Sequence, residues 1–235
     1  PFSDESQIPT YLVSKFAREN VTVALSGDGG DEMLGGYSRH FALPHLWKRV
    51  GWMPTFIRMA MGGMIQGISE DRWSKMVPQV PQFGDKIYKV SDLLGERSGD
   101  DAYRRVLSRW HQAGKMVPDS ITLPDYLFDS GWQPQNSKSR ELNFCERMIY
   151  GDALSYLPND ILVKVDRASM ANSLECRAPL LDQRIFEYVW RLPLQTKVRD
   201  NKGKWLLRQI LARYVPISMF DRPKQGFSVP VGDWI

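Results

Sequence analysis

The sequence predicts an α/β fold that is mostly helical, with the segment Val21–Leu25 as a strand of a parallel sheet. Three observations carry this. Val21–Leu25 is a short β-branched, apolar run stopped by Ser26-Gly27, the pattern of a buried parallel strand. Ile8 to Asn20 before it places Tyr11, Leu12 and Phe16 on one helical face, with Lys15 and Arg18 opposite. After the strand, helical periodicity dominates.

The later elements follow in order. From His40 to Gly131, repeated prolines punctuate what reads as several helices, including Arg104 to Trp110. Leu142 to Leu157 reads as a helix stopped by Pro158. Asn159 or Asp160 can cap a further helix through Met170, and Asp182 one that runs to about Leu192. Gly203 to Val215 has Leu206, Leu207, Ile210, Leu211 and Tyr214 on one face, which must pack onto something. Arg222 to Pro230 reads as a loop.

Composition bounds the class. A chain of 235 residues can bury one large core or two small ones, and a single domain over 1–235 is the first expectation. Its 43% hydrophobic and 25% charged residues are those of a folded globular protein rather than a disordered one. The net charge of +4 comes from 31 basic residues scattered among 27 acidic ones, so nucleic acid is not an expected partner. The most lopsided stretch, Met33 to Ser69, holds Arg39, Lys48, Arg49 and Arg58 with no acid, and a non-enzymatic basic module built on it is the alternative from another class. Val50 to Ile68 is apolar, but Pro54 and Arg58 interrupt it, which argues against a bilayer span. Cys145 and Cys176 form no C-x-x-C pair and no ligand spacing with His40, His45 or His111; free thiols in a reducing cytoplasm explain them. The chain begins at Pro1 without a methionine, which reads as a piece of a longer protein.

The most informative segment is Ser26-Gly27-Asp28-Gly29-Gly30-Asp31-Glu32, directly after the predicted strand, where open α/β sheets bind ligands. Its glycines allow backbone N–H groups close to anionic oxygen, and Asp31 and Glu32 could hold a magnesium ion that neutralises phosphates. The same residues also read as a tight acidic turn in which Asp31 caps a helix.

The longer string L-S-G-D-G-G-D-E-x-L-G-G-Y-x-R resembles the second active-site loop of glutamine-hydrolysing asparagine synthetases. Ile8-Pro9-Thr10-Tyr11-Leu12 also looks like that family's text. So do Leu157 to Met170 with Ser173 to Asp182, the K-x-x-L-R helix start at Lys204, and Arg222 to Phe227 with Pro230 and Trp234. Phe41 to Arg140 carries no matching pattern.

The resemblance implies the C-terminal part of an adenine-nucleotide alpha-hydrolase-like (PP-loop ATPase) domain. The family's upstream S-G-G-x-D-S loop and its N-terminal glutaminase domain with a cysteine nucleophile are absent from this sequence. It implies a cytoplasmic ligase that uses ATP and Mg2+ and can form a homodimer. The aspartate carboxylate is activated as β-aspartyl-AMP with release of pyrophosphate, and glutamine-derived ammonia then displaces AMP. Another carboxylate, a sugar acid or a β-lactam precursor, is the alternative acceptor within the family. By the same carry-over Lys204 is the catalytic lysine, and Ser26, Gly27, Gly29 and Glu32 contact nucleotide or intermediate. Asp31 binds Mg-pyrophosphate. Asp28 stands where many members have a glutamate proposed to deprotonate ammonia, and its side chain reaches about one methylene less far. Arg208, at i+4 from Lys204, could reach the same anion or form a structural salt bridge. On this reading the 235-residue chain alone does not make asparagine, because one wall of the ATP site and the ammonia source lie elsewhere.

Overall fold

The computed structural model describes residues 4–80, 82–108, 142–221, 229 and 234. Two compact units divide the chain, one formed by Pro1–His40 with Cys145–Ile235 and the other by Phe41–Phe144. The first contains every candidate site residue.

In the first unit, helix α1 (Gln7–Arg18) leads into strand β1 (Val23–Leu25) and the short helix α2 (Gly30–Leu34). Helix α3 (Arg39–Val50) starts in this unit and continues into the second. The chain returns through α8 (Phe144–Gly151), a π-helical stretch Asp152–Ile161, α9 (Leu162–Met170) and strand β2 (Glu175–Arg177). Helices α10 (Gln183–Arg191), α11 (Trp205–Leu211) and α12 (Ile217–Phe220) follow.

Strands β1 and β2 pair in parallel, with Val23 opposite Glu175 and Leu25 opposite Arg177. The predicted parallel pairing is therefore present, but the predicted burial is not. Leu25 is 75% exposed, because a sheet of two three-residue strands has no second layer over that face among the described residues. Helix α1 packs on α9, and a buried ion pair from Lys164 to Asp4 at 2.8 Å ties the start of the chain to α9. Ser6 Oγ accepts a second hydrogen bond from Lys164. The core of this unit gathers Met33, Leu34 and Val189, against which Leu180, Phe186 and Leu207 pack.

Several helix boundaries differ from the sequence reading. Pro158 does not stop the helix: α8, the π-helical stretch and α9 run on continuously through it. In an α-helical register the ring would meet a carbonyl of the preceding turn and leave a missing donor; the wider winding accommodates both. The helix expected over Gly203 to Val215 is shorter. Lys204 stands before its first turn with φ 57°, in the left-handed region, so the helix begins only at Trp205. Leu207 at its start reaches the core, whereas Tyr214 beyond its end is 80% exposed. The Asp182 cap is as expected: its carboxylate accepts the Arg184 N–H at 2.8 Å and starts α10.

The second unit packs α4 (Thr55–Gln66) and α5 (Glu70–Met76) on α6 (Phe83–Leu94), followed by α7 (Gly99–Leu107). Arg58, which interrupts the apolar run in the sequence, is buried there and donates to the carbonyls of Met53, Leu94 and Glu96. No helix among the described residues is long and apolar enough to cross a membrane. Helix α7 starts at a Ser98–Asp101 capping box, five residues before the expected Arg104. Trp110, the expected end of that helix, and the Arg222 to Pro230 loop, apart from Val229, lie outside the described residues.

Candidate active site

The glycine-rich turn sits at the carboxyl end of β1. Ser26 extends the sheet by donating its N–H to the Arg177 carbonyl at 2.8 Å, and Gly29 then caps α2 with φ 86°. The cap is this glycine, so Asp31 lies inside the helix rather than capping it. Gly27 faces open space, and Asp28 between the glycines is half-buried. The Ser26 hydroxyl oxygen is shielded from solvent and has no hydrogen-bond partner among the described residues, which is costly unless a further group completes it.

Lys204 comes to this turn from the other end of the chain. Its ammonium lies 2.8 Å from Asp31 Oδ2, with the two side chains 32% and 24% exposed. Its backbone N–H donates to the Leu34 carbonyl at 2.9 Å, so main chain and side chain of one residue both hold α2. The approach is close enough to require glycine at two positions. A side chain at Gly203 would run into the Gly35 carbonyl, and one at Gly36 into the Asp31 carboxylate and the Lys204 stem.

Asp31 and Lys204, at the foot of the glycine turn, are thus brought together. The other sequence candidates fall around them. Glu32 is 1% exposed and accepts a hydrogen bond from the Tyr37 hydroxyl. Burial pushes its carboxyl above the usual range, although the Tyr37 hydrogen bond opposes this. Arg208 turns to Asp221, 3.0 Å away, and to the Gly203 carbonyl. With Lys202, Trp205 and Phe220 it lines an open cleft of about 380 Å³. Among the described residues no group of three or more His, Cys, Asp or Glu gathers as a metal cluster.

Sequence reasoning missed Asp152. It is fully buried at the start of the π-helical stretch and receives Arg39 and His40 on one carboxylate oxygen. A lone aspartate in an apolar segment has no local signal for this; only the buried partners reveal it.

The profile of the asparagine synthase family matches residues 1–235. The chain belongs to the asparagine synthase family. Among relatives of this asparagine synthase family chain, a putative glutamine-hydrolysing asparagine synthetase of Mycobacterium tuberculosis H37Rv is 32% identical over the whole chain, which covers 34% of that protein. Glutamine-hydrolysing asparagine synthetase 1 of Bacillus subtilis is 29% identical, again over the whole chain and 35% of its own length. The amidase chyE of Penicillium rubens is 21% identical over 92% of the chain. The chain thus spans about one third of the length of the first two of these curated relatives. No solved structure matches it.

Proposed function

We propose that this chain is the C-terminal part of an ATP-dependent synthetase that activates the side-chain carboxylate of aspartate as an acyl-adenylate, releases pyrophosphate and forms asparagine with glutamine-derived ammonia. The observation that carries this reading is the Asp31–Lys204 pair at 2.8 Å beneath a glycine turn whose Ser26 hydroxyl is shielded and unpartnered among the described residues. A cation and a carboxylate side by side offer what a magnesium-bound polyphosphate needs. Lys204 would exchange Asp31 for phosphate oxygens and neutralise charge that builds at phosphorus and at the acyl centre. The Ser26 hydroxyl and the turn's backbone N–H groups would meet the remaining anionic oxygens.

Magnesium is held at such sites through one or two carboxylates together with phosphate oxygens, and the single half-exposed Asp31 carboxylate fits that donor set. When bound, the ion would screen the phosphates from the attacking carboxylate. Asp28, half-buried in the turn, would take a proton from ammonia. Glu32 is engaged by Tyr37, which supports a bracing role over direct contact with nucleotide. Arg208, engaged by Asp221, belongs to the support of α11. The remaining wall of the nucleotide site, the upstream S-G-G-x-D-S segment and the glutaminase domain are assigned to the portion of the protein outside this chain.

Aspartate-dependent ATP–pyrophosphate exchange in the intact protein tests the reading. Exchange that disappears in Lys204→Ala supports it. Exchange that survives Lys204→Ala, or that responds to another carboxylate and not to aspartate, overturns the assignment.

A further inference from the structure

We propose that Asp152 is a positioning residue for the Asp31–Lys204 pair, acting through Arg39, Tyr37 and Glu32. The inference rests on the site proposed above and deepens it.

Asp152 Oδ2 takes the Arg39 Nε and Nη2 at 3.1 and 2.9 Å and His40 Nε2 at 2.6 Å. The Asp152 and His40 side chains are both 0% exposed. His40 Nδ1 is buried without a hydrogen-bond partner among the described residues, so the ring's polar contact runs through Nε2, toward Asp152. Arg39 forms an ion pair with this buried carboxylate. The Arg39 guanidinium lies over the Tyr37 ring at 4.0 Å and the Tyr156 ring at 4.8 Å, and Tyr37 meets both His40 and Tyr156 edge-on. That packing aims the Tyr37 hydroxyl at Glu32, the neighbour of Asp31.

The turn from Gly35 to Ser38 is therefore stretched between two anchors, Glu32 before it and Asp152 after it. Gly36 lies within that turn, against the Asp31 carboxylate and the Lys204 stem, with no room for a side chain. A buried ion pair contributes little net stability compared with a well-packed apolar cluster. What it does supply is orientation, and here the oriented group is the turn that the candidate catalytic pair rests on.

The test uses the intact protein and the variants Asp152→Asn and Tyr37→Phe, alone and together. In both single variants a lysine-selective acylating reagent is expected to label Lys204 about threefold faster, since an amine released from an ion pair is the better nucleophile. Aspartate-dependent exchange is expected to fall about tenfold in kcat with the KM for ATP within about twofold of wild type. The double variant should be no worse than Asp152→Asn, because the two changes cut one chain of contacts. Wild-type labelling of Lys204 in folded Asp152→Asn, or additive losses in the double variant, would overturn the proposal. Should Asp152→Asn fail to fold, Tyr37→Phe, which loses only a hydroxyl, decides it by the same labelling. Labelling needs no substrate, so absence of exchange in the wild-type protein would sink the functional reading while leaving this inference to be judged separately.

Discussion

Lys204 holds Asp31 by its ammonium at 2.8 Å and Leu34, in the same short helix, by its backbone N–H at 2.9 Å. The two ends of the chain meet at this residue, and the first prediction concerns its charge. In the intact protein Lys204→Ala should lower kcat for aspartate-dependent exchange by about 10²–10³-fold, the loss typical of one preorganised charge-stabilising group. Thermal unfolding should change little, since the ammonium is partly exposed. Steady-state exchange kinetics and a melting curve check both halves.

Gly203→Ala should destabilise the first unit by about 1–3 kcal/mol, because the new methyl meets the Gly35 carbonyl, which is backbone and cannot rotate away. Gly27→Ala, in open space, is the matched control and should cost far less. Denaturant titration of both variants measures the difference.

Stability should respond to pH with opposite signs at two carboxyl groups. Burial raises the Glu32 carboxyl, so the folded state binds its proton more tightly than the unfolded state does. Its contribution is full below the ordinary glutamate range and is lost as pH rises through the folded value. Glu32→Gln should flatten that decline and leave the protein at least as stable at neutral pH. Asp4 behaves in reverse. Burial pushes it up, but hydrogen bonds from Lys164 and Ser6 outweigh this and hold it below the usual range. Its contribution is present above the ordinary aspartate value and is lost as pH falls through the folded one. Asp4→Asn should therefore weaken the protein at neutral pH and leave it unchanged in strong acid. Unfolding free energies measured across pH distinguish the two.

Burial, together with the nearby Glu146 charge, pushes the Cys145 thiol up to about 12, whereas Cys176 in β2 is half-exposed. Iodoacetamide at mildly alkaline pH should modify Cys176 in the native protein and Cys145 only after unfolding, as peptide mass spectrometry would show.

Much of this arrangement was legible in the sequence, for identifiable reasons. Val23–Leu25 and its glycine turn announce themselves by local chemistry, a β-branched run followed by residues that permit tight turns, and Asp182 caps its helix by local hydrogen bonding. The conjunction of Asp31 with Lys204 was expected from the resemblance to asparagine synthetases rather than from periodicity. What could not be read depends on long-range packing. Pro158 stops an ordinary helix, and only the surrounding structure supports the wider winding. The hydrogen bond that Glu32 accepts from Tyr37 depends on how the turn folds back and has no local signal. Asp152 has no sequence signature at all, because its meaning lies in Arg39 and His40, far away along the chain.

The left-handed backbone of Lys204 separates anchoring from reach. Its peptide group is fastened to the Leu34 carbonyl while the four-carbon stem carries the ammonium to Asp31, so release of Asp31 requires rotation about side-chain bonds and no shift of a helix. Such rotations take picoseconds to nanoseconds. The charge can thus swing like a boom on a fixed mast, without the backbone around it having to shift.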